Sequence, residues 1–307
     1  MINLQGLIIE ADYTWIDGNL HPNIKILINS KGEIEKMGVY PIEPDVRLPS
    51  QALFPGLINV HSHSFQVGLR NFFLPAHPNQ DFWSWRSEMY ALSLLLSPEK
   101  VHELAYHAFL NMREAGITSV GEFHYLHHSS EEEKNYDLDK IILQAAKLAG
   151  IRIVLLLTYY ERSGFEEAPL EPAQKRFVSE NLVSFWANFD DLSKLIDPST
   201  QHLGVCAHSA RGVSLETIKE LKMEAEKRKI PFHIHLEEQE GEIEDCLKKT
   251  GKRPIDMLLE NLNVDENTTA IHCTFTEEEA MGKWLEKGGN VCVCPLTEGH
   301  LGNIIVI

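Results

Sequence analysis

The stretch Leu53-Phe54-Pro55-Gly56-Leu57-Ile58-Asn59-Val60-His61-Ser62-His63 decides the fold. A Pro-Gly turn feeds a short apolar run, and the run closes on His-x-His. Residues two apart on a β-strand face the same way, so His61 and His63 present two imidazoles together where a buried strand meets its loop. Two neutral imidazoles on one face are half of a zinc site. In a chain with 15 histidines one such pair is a weak signal, and its weight comes from repetition. Ile230-Pro231-Phe232-His233-Ile234-His235-Leu236 is a second apolar run with His-x-His, followed by Glu237 and Glu238. The runs 202–208 and 269–273 also close on histidine, at His208 and His272.

Working outward from Pro55, strand-like runs fall at 57–61, 117–122, 151–157, 203–207, 231–236, 269–273 and 290–294. Helical patterns fall between them, at 98–115, 137–149, 172–188, 214–228, 251–260 and 276–287, with glycines such as Gly116 and Gly150 where helices should stop. Continuous apolar strands alternating with helices predict an α/β fold with a parallel sheet covered on both faces. Polar residues at the C-terminal ends of several strands suit a TIM-like (β/α)8 barrel, here with about seven of its eight strands. Residues 1–52 differ: short strands separated by Asp-Gly, Asn-Ser and Lys-Gly-Glu turns predict a small antiparallel β portion, leaving 53–307 as the barrel.

Composition narrows the partners. A net charge of −17 argues against nucleic acid and anionic membrane, and it requires a local cationic pocket if the substrate is a small anion. No apolar run approaches the roughly 20 residues of a membrane span. The N-terminus lacks the basic and apolar regions of a signal peptide. Five cysteines, an odd number, read as reduced core thiols of a cytoplasmic protein. Cys292-x-Cys294 reads as a strand-buried pair rather than half a metal site.

With these residues in view, the chain resembles the amidohydrolase superfamily, in its deaminase branch, and within it the formimidoylglutamate deiminases. The resemblance is carried by Phe54–Gln66, Phe82-Trp83-Ser84-Trp85-Arg86, Glu122-Phe123-His124-Tyr125-Leu126-His127-His128, His208-Ser209-Ala210-Arg211, His233–Gln239, Ile271-His272-Cys273-Thr274 and Leu296-Thr297-Glu298. It implies a zinc-dependent hydrolase that converts N-formimino-L-glutamate to N-formyl-L-glutamate and ammonia, acting in histidine degradation. His61, His63 and His235 would hold one Zn2+, with His233 packing behind them. Glu238 would carry protons, and His272 would hold the attacking water. Gln66, Arg86, Tyr125, His208 and Arg211 would bind the substrate, the two arginines clamping its two carboxylates, with Arg86 on an aromatic-rich loop. A homodimer is expected.

The resemblance also implies an eighth strand bearing a metal-binding aspartate, and the sequence shows neither. The expectation is therefore a chain truncated at its C-terminus, with a weakened metal site, two unpaired apolar strand edges and little activity; the tail Ile304–Ile307 is the one segment placed to cover the gap. Two other functions fit the same residues: another deaminase of this superfamily, acting on a purine-like substrate without the two arginine clamps, or an inactive remnant.

Overall fold

The computed structural model describes residues 4–70, 82–166 and 168–300. The tail 304–307 lies outside the described residues. Two compact units divide the chain, Met1–Leu57 and Ile58–Ile307.

The first unit is a five-stranded sheet. β1 (Ile8–Ile16) pairs antiparallel with β2 (Asn19–Pro22) and β3 (Lys25–Ile28), and β3 pairs antiparallel with β4 (Ile34–Gly38). β5 (Val46–Leu53) runs parallel to β1, so the sheet is mixed rather than purely antiparallel. The turn between β1 and β2 is Asp17-Gly18, both at positive φ, the conformation that a tight hairpin demands.

The second unit contains seven parallel strands in the sequential order β12-β11-β10-β9-β8-β7-β6. They are β6 (Leu57–Ser62), β7 (Ile117–His124), β8 (Arg152–Tyr159), β9 (Gln201–Ser209), β10 (Phe232–Leu236), β11 (Thr268–His272) and β12 (Asn290–Cys292). The seven apolar runs read from sequence all become strands. β7 to β11 are almost wholly buried, as a sheet covered on both faces requires.

The helices are α1 (Phe82–Leu95), α2 (Pro98–Glu114), α3 (Asp137–Ala149), α4 (Leu182–Ser193), α5 (Leu215–Arg228), α6 (Glu240–Thr250), α7 (Pro254–Asn261), α8 (Glu278–Glu286) and α9 (Pro295–His300). Local chemistry sets their ends. Ser97, Asn181 and Ser214 cap α2, α4 and α5 by accepting from the backbone N–H three residues on. Gly150 and Gly251 close α3 and α6 in the left-handed conformation.

Two expectations change, and one element is added. The helix read over 172–188 is a 3-10 turn at Ala173–Arg176 followed by α4, because the Asn181 cap starts a new helix. The added element is α6, which follows Glu237 and Glu238 and has no counterpart among the helical patterns read from sequence. The aromatic segment around Arg86 is also a helix, α1, and not a loop. No helix among the described residues is long and apolar enough to cross a membrane.

Candidate active site

The seven strands deliver their C-terminal ends to one side, and the polar side chains there line a cavity of about 180 Å³. All ten residues singled out from sequence border it: His61, His63, Gln66, Arg86, Tyr125, His208, Arg211, His235, Glu238 and His272.

His61 and His63 leave the end of β6. A 3-10 turn at Ser64–Leu69 follows and carries Gln66 back over the cavity. β10 brings His235, and a register shift against β9 between Ile234 and His235 sets that side chain opposite Ser209. One donor atom from each of His61, His63 and His235 falls within 4.8 Å of the other two. His61 Nε2 and His235 Nε2 are 3.3 Å apart. Two ligands each about 2.0–2.1 Å from a tetrahedral zinc stand roughly 3.3–3.4 Å from one another, so the spacing fits an ion between them.

The protonation chemistry fits as well. Burial, followed by the neighbouring histidines, holds His61 and His235 far below the ordinary imidazole value, and burial lowers His63 to about 3. All three are therefore neutral, as metal ligands must be. His63 Nδ1 donates to the Phe123 carbonyl at 2.7 Å, leaving Nε2 as its free lone pair. The Phe123 ring stacks on His235, centroids 4.1 Å apart, and fixes its plane. His233 is buried two residues earlier on β10, its Nδ1 without a hydrogen-bond partner among the described residues.

The backbone turns sharply where β10 and β11 end. Glu237, His272 and Cys273 all take positive φ, at 48°, 73° and 56°. Such conformations are uncommon for non-glycine residues and cluster where structure serves chemistry. At the first turn the two glutamates part. Glu237 points away and is fully buried, accepting from Arg253 Nη2 (3.0 Å), Ile255 N (3.2 Å) and Thr276 Oγ1 (2.8 Å). Glu238 enters the cavity, with Arg211 Nη2 and His272 Nε2 each 3.5 Å from its oxygens. Burial opposes protonation of His272, but Glu238 and Glu298 outweigh it and the net shift is upward.

The far wall is cationic and aromatic. Arg211 is half-buried with its guanidinium 5.1 Å from the Phe82 ring, and its buried Nη1 has no hydrogen-bond partner among the described residues. Arg86 lies 4.6 Å from the Trp83 ring and 4.0 Å from Glu171. Gln66 Nε2 donates to Tyr125 Oη at 2.7 Å. Burial, then the Arg211 charge, drives the His208 value far down, so this histidine is a neutral wall. Phe82, Trp85, Arg86, Met89 and Tyr90 supply this side from one face of α1. Their spacing of three, four, seven and eight residues is the helical period, the signal that identifies α1 as a lining element. Tyr160, Phe177 and Thr297 also line the cavity; Thr297 falls within the Leu296-Thr297-Glu298 stretch, while nothing in the local sequence of Tyr160 or Phe177 marks them.

All five cysteines are free. Four are buried, and Cys294 is half-buried with its sulfur within 4.8 Å of donor atoms of His61 and His272. A second buried group, His124, His127 and Asp139, lies apart from the cavity lining. His127 Nδ1 is 2.8 Å from Asp139 Oδ1, and its Nε2 is 2.7 Å from the Thr158 carbonyl oxygen. Asn188 donates to the other Asp139 oxygen at 2.7 Å.

Comparison with known proteins gives concordant matches. A family model described as the amidohydrolase family matches residues 52–303. The formimidoylglutamate deiminase of Pseudomonas aeruginosa is 33% identical over 287 residues, covering 90% of this chain and 62% of that protein. The 5-methylthioadenosine/S-adenosylhomocysteine deaminase of Thermodesulfovibrio yellowstonii is 29% identical, covering 79% of this chain and 50% of its own length. Among solved structures, an amidohydrolase from Brucella melitensis superposes with a TM-score of 0.88 at 32% identity, over 96% of this chain and 66% of that one. An adenosine deaminase from Xanthomonas campestris with bound zinc shares the fold at a TM-score of 0.79 and 20% identity, over 97% of this chain and 64% of that one. The chain thus spans between half and two thirds of the length of these relatives.

Proposed function

This chain belongs to the amidohydrolase family, a hydrolase family acting on C–N bonds, and we propose that its cavity serves hydrolytic deimination of N-formimino-L-glutamate. The observation that carries the reading is the pair of guanidiniums, Arg86 and Arg211, in the wall of the cavity that holds the three-histidine cluster. A substrate with two carboxylates and a reactive amidine matches that layout, because guanidinium binds carboxylate with two parallel hydrogen bonds. The buried Nη1 of Arg211, unpartnered among the described residues, is a donor available to such a partner.

His61, His63 and His235 would hold a divalent ion, with zinc the best match to neutral nitrogen donors. When bound, that ion would act as a Lewis acid that makes water nucleophilic near neutral pH. Glu238 is placed to take the proton released as water attacks the amidine carbon. It then returns a proton to the departing nitrogen, so that N-formyl-L-glutamate and ammonia leave. His272 Nε2, facing Glu238, holds the attacking oxygen. Gln66 and Tyr125, already bonded to each other, orient the substrate chain beside neutral His208. The aromatic face of α1 excludes bulk water, which strengthens each of these contacts.

The test is ammonia release from N-formimino-L-glutamate by the zinc-loaded chain, set beside adenosine-type substrates. Arg86→Ala and Arg211→Ala should each cost roughly 2–5 kcal/mol in kcat/KM while zinc content is unchanged, because each leaves a substrate carboxylate unpaired. Unchanged kcat/KM in either variant removes that arginine from the site. A preference for purine substrates, unaffected by both variants, replaces the deiminase reading with that of another deaminase of the family, the reading that the 5-methylthioadenosine/S-adenosylhomocysteine deaminase match favours.

A further inference from the structure

We propose that Glu298 is a positioning residue for His272, fixing its ring with the proton on Nδ1 and Nε2 turned to the cavity. The Leu296-Thr297-Glu298 motif has no role in the chemistry described so far, yet Glu298 is buried at the start of α9. Its Oε1 lies 3.1 Å from His272 Nδ1. An ionised carboxylate only accepts hydrogen bonds, so the proton of that contact sits on Nδ1. The carboxylate is itself held: Cys294 N donates to the same oxygen at 3.2 Å, and Glu298 N donates back to the Cys294 carbonyl at 3.0 Å.

The arrangement answers a problem set by the backbone. His272 is the last residue of β11, and its positive φ swings the side chain out of the line of the strand. Stacking on His235, with centroids 5.3 Å apart and planes 29° from parallel, fixes the plane of the ring. Stacking does not choose between the two faces of a flip, which would exchange Nδ1 for a carbon. The bond to Glu298 makes that choice, and it leaves Nε2 3.5 Å from Glu238 Oε1. With Nδ1 so committed, Nε2 is the nitrogen turned to the reacting centre, the second-partner role that carboxylates commonly play for functional histidines.

The kinetic part of this inference rests on the deiminase reading; the tautomer part does not. Long-range nitrogen NMR of the 307-residue chain reads the His272 tautomer directly, the signal being assigned by its loss in His272→Gln. The wild type should carry its proton on Nδ1. Glu298→Gln should keep it there, since an amide oxygen also accepts, whereas Glu298→Ala should show mixed tautomers. A wild-type ring with no proton on Nδ1, or an unaltered spectrum in Glu298→Ala, overturns the proposal. With N-formimino-L-glutamate as substrate, Glu298→Ala should lower kcat roughly 10–100-fold with KM nearly constant, and Glu298→Gln should lose clearly less. Equal losses in both variants, or a loss confined to KM, also overturn it. If the wild type releases no ammonia from that substrate, the deiminase reading fails and the tautomer result still decides the role of Glu298.

Discussion

Glu237 and Glu238 show how little separates scaffold from chemistry. They read alike in the sequence, as acids after an apolar run. The positive φ of Glu237 turns one into a buried clamp and the other into the cavity. That division follows from backbone conformation, which a run of identical residues does not encode. The histidines were more legible, because strand periodicity alone aims His61 and His63 at one point. Asp139 was not legible at all. It lies in the first turn of α3, where an acid reads as a helix-dipole residue. In the fold it is the counter-charge of His127, both fully buried. Burial works against the charged imidazole, but Asp139 more than offsets it, and the His127 value rises above the ordinary 6.5. A group raised on folding stabilises fully below its unfolded value, and the contribution is lost as pH climbs through the folded one. Denaturant titrations should therefore show a decline in stability on the alkaline side of 6.5 to which His127 contributes. Asp139→Asn should flatten that slope and cost about 3–5 kcal/mol at neutral pH, the penalty of an uncompensated buried charge. An unaltered slope would detach His127 from it.

Strands and helices were recovered unequally. Every strand of the parallel sheet announces itself as a short apolar run bounded by turn residues. The helices α1 and α6 do not: one is crowded with aromatics that resemble a binding loop, and the other opens on acids that resemble solvent. Within the sheet, β7 approaches β6 so closely that Gly121 has no room for a side chain. A Cβ there would lie 2.7 Å from the Val60 carbonyl oxygen, which is backbone and cannot move aside. Since Val60 immediately precedes His61, any displacement passes straight into the histidine pair. Gly121→Ala should destabilise the chain by roughly 1–3 kcal/mol, the usual range for overpacking. It should also weaken zinc binding, as measured by competition with a chromogenic chelator. A variant with wild-type metal affinity would show that β6 relaxes independently of its ligands.

The sheet of the second unit has two ends. Among the described residues β6 and β12 are each paired on one side only. Leu57, Ile58 and Val60 are 61%, 70% and 44% exposed, and Val293 beyond the other end is 62% exposed. Open apolar edges recruit other strands. The 307-residue chain should therefore associate with rising concentration in sedimentation velocity, and Ile58→Lys with Val293→Lys should suppress it. A monomer across the whole concentration range would contradict this.

Away from the cavity, Arg176 reaches three backbone carbonyls in two different segments. It is buried, with Nε donating to the His128 carbonyl at 2.9 Å, Nη2 to that of Leu96 at 3.0 Å, and Nη1 to that of Ser93. Ser93 is in the last turn of α1 and Leu96 lies just past it, while His128 follows β7, so one guanidinium ties the wall of the cavity to the loop that leads into α3. Helix ends normally fray on their own, with opening energies far below that of the global transition. Here the end of α1 cannot open without breaking contacts to the β7–α3 loop as well. In native-state hydrogen exchange, the last-turn amides of α1 should follow the denaturant dependence of those in β7 and α3, as one cooperative unit. Arg176→Met should split that unit, leaving α1 to exchange early while β7 keeps its protection.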